Sequence, residues 1–235
     1  MKPSDRIFVA LDTTDVGRAA DLAAALAGLV GGVKLGKEFF TANGPEGVRR
    51  VVAGTALPLF LDLKFHDIPN TVAGAVSAAL PLGPTILNVH ASGGRAMMQA
   101  AANAVAEAPG PKPLMLAVTV LTSLGDEDLI ELGVTAGAEQ QVVRLAELAQ
   151  ASGMDGVVCS AREITALRAA CGADFKLVVP GIRPAWAATG DQKRIVTPAE
   201  AVALGADYLV IGRPITGADD PAAAAKRIGE ELAGV

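Results

Sequence analysis

Aromatic residues are scarce in this chain: Phe, Tyr and Trp together make up 3% of its 235 residues. The core must therefore come from Ala, Val, Leu and Ile, whose small and branched side chains suit buried parallel strands and close-packed helices. Basic blocks are missing, and the net charge is −5. A nucleic-acid partner is not expected, because backbone phosphates demand a Lys/Arg-rich face. No apolar run reaches the roughly 18–20 residues that span a bilayer, so no membrane partner is expected either. The opening Lys2-Pro3-Ser4-Asp5-Arg6 leads straight into a strand-like run, so no signal peptide is expected. Cysteines occur only at 159 and 171. Two are too few for a disulfide framework and wrongly spaced for a metal-type C-x-x-C, so buried thiols in a reducing cytoplasm are expected.

What the chain does contain is an alternation that runs from end to end. Short apolar runs suggest strands at Arg6–Asp12, Gly32–Lys37, Leu57–Lys64, Ile86–His90, Leu114–Leu121, Gly156–Ser160, Lys176–Pro180 and Tyr208–Gly212. Helical patterns lie near 15–28, 40–53, 70–80, 94–107, 138–151, 161–170, 198–204 and 221–232. Ser160 with Glu163 and Thr197 with Glu200 fit the capping box, and Asp219 or Asp220 precedes Pro221 as a candidate cap. Glycines at 153, 172 and 205 fall where helices should stop. Eight strand-then-helix units in one chain of this length favour a closed (β/α)8 TIM barrel, forming a single domain over 1–235. An open dinucleotide-binding sheet would want G-x-G-x-x-G after its first strand. Here that strand ends in Ala10-Leu11-Asp12-Thr13-Thr14.

In such a barrel the active site lies where the strands end. Polar residues gather there: Asp12, Lys34, Asp62, Lys64, His66, Asp67, Asn88, His90, Thr122, Ser123, Arg183 and Arg213. Alternation along the third strand predicts that Asp62 and Lys64 point the same way, into the barrel mouth, within reach of Lys34. A Lys–Asp–Lys row in a desolvated mouth is costly unless its charges neutralise one another. It reads either as catalytic machinery or as an ion-pair network that only fixes the barrel. After the eighth strand, Gly212 permits close backbone approach and Arg213 offers a fork for phosphate oxygens, unless this is an ordinary loop with a solvated arginine. Residues 181–196 are long for a connection on that face, which suits a lid carrying Arg183 and Gln192. Trp186 is expected to anchor that loop. His66, His90 and Asp67 match no firm metal-ligand spacing, so no metal is expected.

The run Asp62-Leu63-Lys64-Phe65-His66-Asp67-Ile68-Pro69-Asn70-Thr71 resembles the signature of the orotidine 5′-phosphate decarboxylases. The resemblance continues through Asn-Val-His-Ala-Ser-Gly-Gly from 88, Val-Leu-Thr-Ser from 120, Pro-Gly-Ile-Arg from 180, Gly-Asp-Gln-Lys-Arg from 190 and Ile-Gly-Arg-Pro from 211. It covers essentially the whole chain in order, and the bacterial stand-alone enzymes are most similar.

The resemblance implies a cofactor-independent carboxy-lyase that converts orotidine 5′-phosphate to uridine 5′-phosphate and CO2. Lys64 would protonate C6, with Asp62, Lys34 and Asp67 completing the charge array. Asp67, Ile68 and Thr71 would reach across a homodimer interface into a shared site. Asp12 and Lys34 would hold ribose hydroxyls, and Thr122 would read the pyrimidine edge. Gln192 would bridge base and phosphate, while Gly212, Arg213 and Arg183 would hold the phosphate and Pro180 would line the site. Two rivals remain: a related Mg2+-dependent 3-keto-L-gulonate 6-phosphate decarboxylase, which the Ile-Pro-Asn-Thr continuation and the Thr-Ser segment argue against, and a non-catalytic phosphate-ligand binder.

Overall fold

A computed structural model describes residues 2–187 and 196–234. The eight strands are β1 (Ile7–Ala10), β2 (Gly32–Gly36), β3 (Leu59–Phe65), β4 (Ile86–His90), β5 (Leu114–Val118), β6 (Gly156–Val158), β7 (Lys176–Pro180) and β8 (Tyr208–Ile211). Each pairs in parallel with its sequence neighbours, and β8 returns to β1, closing a (β/α)8 barrel. The helices are α1 (Val16–Leu26), α2 (Lys37–Ala53), α3 (Pro69–Ala79), α4 (Gly94–Glu107), α5 (Asp126–Glu131), α6 (Ala138–Gln150), α7 (Ile164–Cys171), α8 (Pro198–Leu204), α9 (Arg213–Thr216) and α10 (Pro221–Leu232). None of these helices is long and apolar enough to cross a membrane.

Two-residue alternation divides the strand side chains between two apolar regions. Outward-facing Ile7, Val9, Val33, Leu35, Leu61, Leu87, Val89, Val157, Leu177, Val179 and Leu209 pack with the helices into the larger one. Inward-facing Phe8, Ala10, Phe60, Ile86, Leu116, Val118, Val158, Val178 and Val210 fill the barrel. Aromatics occupy both regions, contrary to the expectation of a purely aliphatic core: Phe8, Phe60 and Tyr208 here, Phe39 and Phe175 in the outer one. Phe8 meets Phe60 and Tyr208 edge to face, with centroids 6.3 and 5.6 Å apart. Gly32 makes room for them, since a Cβ there would lie 2.4 Å from the Phe8 ring and 2.5 Å from the carbonyl of Pro58.

The punctuation read from the sequence is in place. Ser160 and Glu163 form a capping box, as do Thr197 and Glu200. Asp220, rather than Asp219, caps α10 by accepting from the Ala223 amide at 2.9 Å. Gly205 ends α8 with φ +115°. Three differences stand out. The second helix begins at Lys37, directly off β2, and is kinked at Gly44 beside Pro45. The 161–170 pattern opens as a 3-10 turn at Ala161–Glu163 before α7. The short helices α5 and α9 were not expected. Cys159 and Cys171 are both free and buried.

Candidate active site

At the C-terminal ends of the strands the apolar filling stops and a cavity of about 310 Å³ opens. Its lining includes Asp12, Lys34, Asp62, Lys64, Thr122, Pro180, Arg183, Gly212 and Arg213. The acidic and basic groups alternate in a row. Lys34 Nζ lies 3.3 Å from Asp12 Oδ1 and 3.4 Å from Asp62 Oδ2, and Lys64 Nζ lies 2.6 Å from Asp62 Oδ1. Lys34 and Asp62 are nearly buried, at 8% and 7% exposure, so each needs the other's charge.

Desolvation alone would push the Asp62 carboxyl up. The ammonium groups of Lys34 and Lys64, with hydrogen bonds from Lys64 and Asn88, together outweigh it and hold Asp62 below the usual carboxylate range. His90, beside the row, is pulled down to about 4 by burial and by the neighbouring His66, Lys37 and Lys64. Its ring centroid is 5.6 Å from that of His66. Among the described residues no three His, Cys, Asp or Glu side chains converge to hold a metal ion.

Regular alternation does not explain how Lys64 comes to face Asp62. The β3–β4 pairing runs Leu61↔Leu87 and resumes only at Phe65↔Val89, so β3 bulges between them. Lys64 sits in that bulge with φ +52°, the one non-glycine in the left-handed region among the described residues. The expected juxtaposition is present, but an irregular backbone produces it.

A larger cavity, about 520 Å³, opens at the opposite end of the barrel around Phe8, Pro58, Leu114 and Tyr208. Among the described residues, Asp5 is the only charged one in its lining. The Asp12, Lys34, Asp62 and Lys64 row is at the other mouth.

A model of the family described as "Orotidine 5'-phosphate decarboxylase / HUMPS family" matches residues 5–228. The chain belongs to the orotidine 5′-phosphate decarboxylase / HUMPS family. It is 62% identical over 233 residues to the orotidine 5′-phosphate decarboxylase of Rhodospirillum rubrum, covering 97% of this chain and 94% of that one. It is 56% identical over 230 residues to the enzyme of the same name from Paramagnetospirillum magneticum, covering 96% and 97%. Among solved structures, the orotidine 5′-phosphate decarboxylase of Lactobacillus acidophilus superposes with a TM-score of 0.85 at 38% identity, covering 96% of this chain and 98% of that one.

Against the family signature, the fold brings nine of the expected site residues to one cavity, namely Asp12, Lys34, Asp62, Lys64, Thr122, Pro180, Arg183, Gly212 and Arg213. Arg183 is 6% exposed there. Three others stay out of it within a single chain. Asp67, Ile68 and Thr71 are exposed, Ile68 to 66%, and the Asp67 carboxylate accepts from its neighbouring Ile68 amide at 2.6 Å. Gln192 lies outside the described residues. Trp186, expected to anchor the 181–196 loop, is 36% exposed and lies under the guanidinium of Arg227, 4.4 Å from the ring centroid. One residue was given no role in advance: Asn88, fully buried, contacts both Asp62 and Lys64. Its signal was a polar side chain at an inward position of the otherwise apolar Ile86-Leu87-Asn88-Val89 run.

Proposed function

We propose that this chain decarboxylates orotidine 5′-phosphate to uridine 5′-phosphate, without a cofactor, as a step of pyrimidine nucleotide synthesis in the cytoplasm. The observation that carries the reading is the Lys64–Asp62 pair, 2.6 Å apart in a row of alternating charges at the barrel mouth. Membership of the family and the names of its relatives supply the substrate.

The chemistry asks for such a row. When the bond from C6 to the carboxylate breaks, the electron pair stays in the ring plane, where no π system spreads it. A fixed ammonium group beside C6 stabilises that charge without reorganisation and then delivers the proton that fills the site. Lys64 takes this role, with Lys34 and Asp62 fixing its position. One such electrostatic contact contributes about 3–4 kcal/mol, whereas large enzymatic accelerations need as much as about 23 kcal/mol. Orientation and phosphate binding energy supply the rest. In this reading Asp12 and Lys34 hold the ribose, Thr122 and Gln192 the base, and Gly212, Arg213 and Arg183 the phosphate, with Pro180 against the ring.

Asp67, Ile68 and Thr71 complete the site from the other subunit of a homodimer. The exposure of Ile68, an apolar side chain beside an acid that stays out of the barrel-mouth cavity of its own chain, supports this arrangement.

The test is incubation with orotidine 5′-phosphate in EDTA, followed by its loss of ultraviolet absorbance. Turnover is expected. Activity only with added Mg2+, and on a phosphosugar acid, would favour the related metal-dependent decarboxylases. Tight nucleotide binding without turnover would favour a binding protein.

A further inference from the structure

Asn88 sits on β4 beneath the charge row and is 0% exposed. Its side chain spans two groups on β3. Nδ2 donates to Asp62 Oδ1 at 2.7 Å, and Oδ1 accepts from the Lys64 backbone amide at 2.8 Å. The same Asp62 oxygen holds Lys64 Nζ at 2.6 Å. The bulge explains why a side chain is used. Between Leu61↔Leu87 and Phe65↔Val89 three residues of β3 pass the single residue Asn88, so the regular ladder is interrupted there. A buried amide must find a partner, and the Asn88 carbonyl supplies it. A left-handed lysine persists only where its surroundings over-determine it, and this hydrogen bond is one such constraint.

We propose that Asn88 is a positioning residue for the decarboxylation: it holds Lys64 in its left-handed backbone and fixes the Asp62 oxygen that orients the Lys64 ammonium. The task needs one donor and one acceptor on a short stem. Asp would set a second carboxylate against Asp62, and Leu has a similar shape with neither group. Asn88 does not line the cavity, so it acts through Lys64 and Asp62 and not on the substrate. The proposal rests on Lys64 being the proton donor.

The test uses Asn88→Leu and Asn88→Asp in the full-length protein. Steady-state kinetics, the pH dependence of kcat, a titration of active sites with a tight-binding nucleotide, and crystal structures are compared with the parent. For Asn88→Leu, kcat should fall about 10- to 100-fold, the equivalent of buried hydrogen bonds left unmade, while KM moves less than about threefold. Charged and titratable groups around Asp62 are Lys34 from β2, Lys64 from β3, His90 from β4, and Asp12 beyond Lys34. With those unchanged, loss of the Asn88 donor should shift the acid limb of kcat to higher pH. Asn88→Asp keeps the acceptor for the Lys64 amide, so it should retain the positive φ and still shift the acid limb. If the Leu variant fails to fold, Asn88→Asp and Asn88→Ser carry the same measurements.

A kcat within about twofold of the parent would overturn the proposal. So would a fall in kcat fully matched by fewer titratable sites with an unmoved acid limb, the mark of a merely structural residue. If the parent itself fails to turn over orotidine 5′-phosphate, the proposed function falls separately. The crystal structures then decide the geometry alone, with a displaced Lys64 in the Leu variant supporting the clamp and an unmoved one overturning it.

Discussion

Arg168 Nη2 lies 2.6 Å from Asp207 Oδ2, as close as Lys64 comes to Asp62, but at the opposite end of the barrel. Asp207 also accepts from the Leu177 amide at 2.8 Å, at the start of β7. Arg168 further donates to the carbonyls of Phe175 and Gly205 at 2.6 and 2.7 Å, tying α7 to the segments that lead into β7 and β8. Its charge serves the fold. Arg168→Ala should therefore lower unfolding free energy by about 3 kcal/mol, because Asp207 loses its main cation while still largely buried. Urea titration reads that loss, and kcat/KM of the folded fraction should stay within about twofold of the parent.

Lys64 is expected to behave in the opposite way. Lys64→Ala should fold yet show no measurable turnover, with a stability loss of about 1–3 kcal/mol because Asp62 keeps Lys34 and Asn88 as partners. Mixing this variant with Asp67→Ala under subunit exchange tests the shared site. A mixed dimer has one site carrying both defects and one with Lys64 and the partner's Asp67 intact. Recovery towards about one quarter of wild-type activity is expected for random reassortment. A dead mixture despite proven exchange would confine each site to one chain.

Arg213 lines the cavity directly after β8. Arg213→Ala should raise KM for the nucleotide and lower kcat/KM by about 2–3 kcal/mol, the value of a charge-assisted phosphate contact. The phosphate-free nucleoside should react as well as with the parent. Equal losses on both substrates would move the phosphate site elsewhere.

Glu163 gives a pH signature unrelated to the chemistry. Burial, with a contribution from Glu139, pushes its carboxyl from 4.5 up to about 7, against the hydrogen bond from the Ser160 amide. Between those values the folded chain keeps a proton that the unfolded chain releases, so stability falls as pH rises through the window. Glu163→Gln keeps an acceptor for the Ser160 amide and cannot ionise. The variant should gain ~3 kcal/mol over the parent near pH 8 and about nothing near pH 4. A constant difference between the two stability–pH curves would remove Glu163 as the cause.

Much of the architecture was legible because its causes are local. Strand and helix periods, the Ser160 and Thr197 caps and the glycine after α8 each depend on residues a few positions apart. They place Asp12, Lys34, Asp62, Lys64 and Arg213 at strand ends, and a closed barrel then gathers them. The short helices α5 (Asp126–Glu131) and α9 (Arg213–Thr216) escaped, since so few residues show no period.

Tertiary structure decided what depends on register between strands distant in sequence. Nothing near Lys64 announces a φ of +52°, and alternation alone would have left β3 regular. The bulge arises where β3 pairs with β4, and Asn88 closes it from 24 residues away. The same holds for Phe8, Phe60 and Tyr208, which share the barrel interior because β8 closes onto β1. Sequence determined which groups stand at the strand ends, since strand periods are local, whereas the bulge set the direction of Lys64. Their distances awaited the fold, because a contact across a barrel is set by strand stagger and closure, which no local stretch of chain encodes.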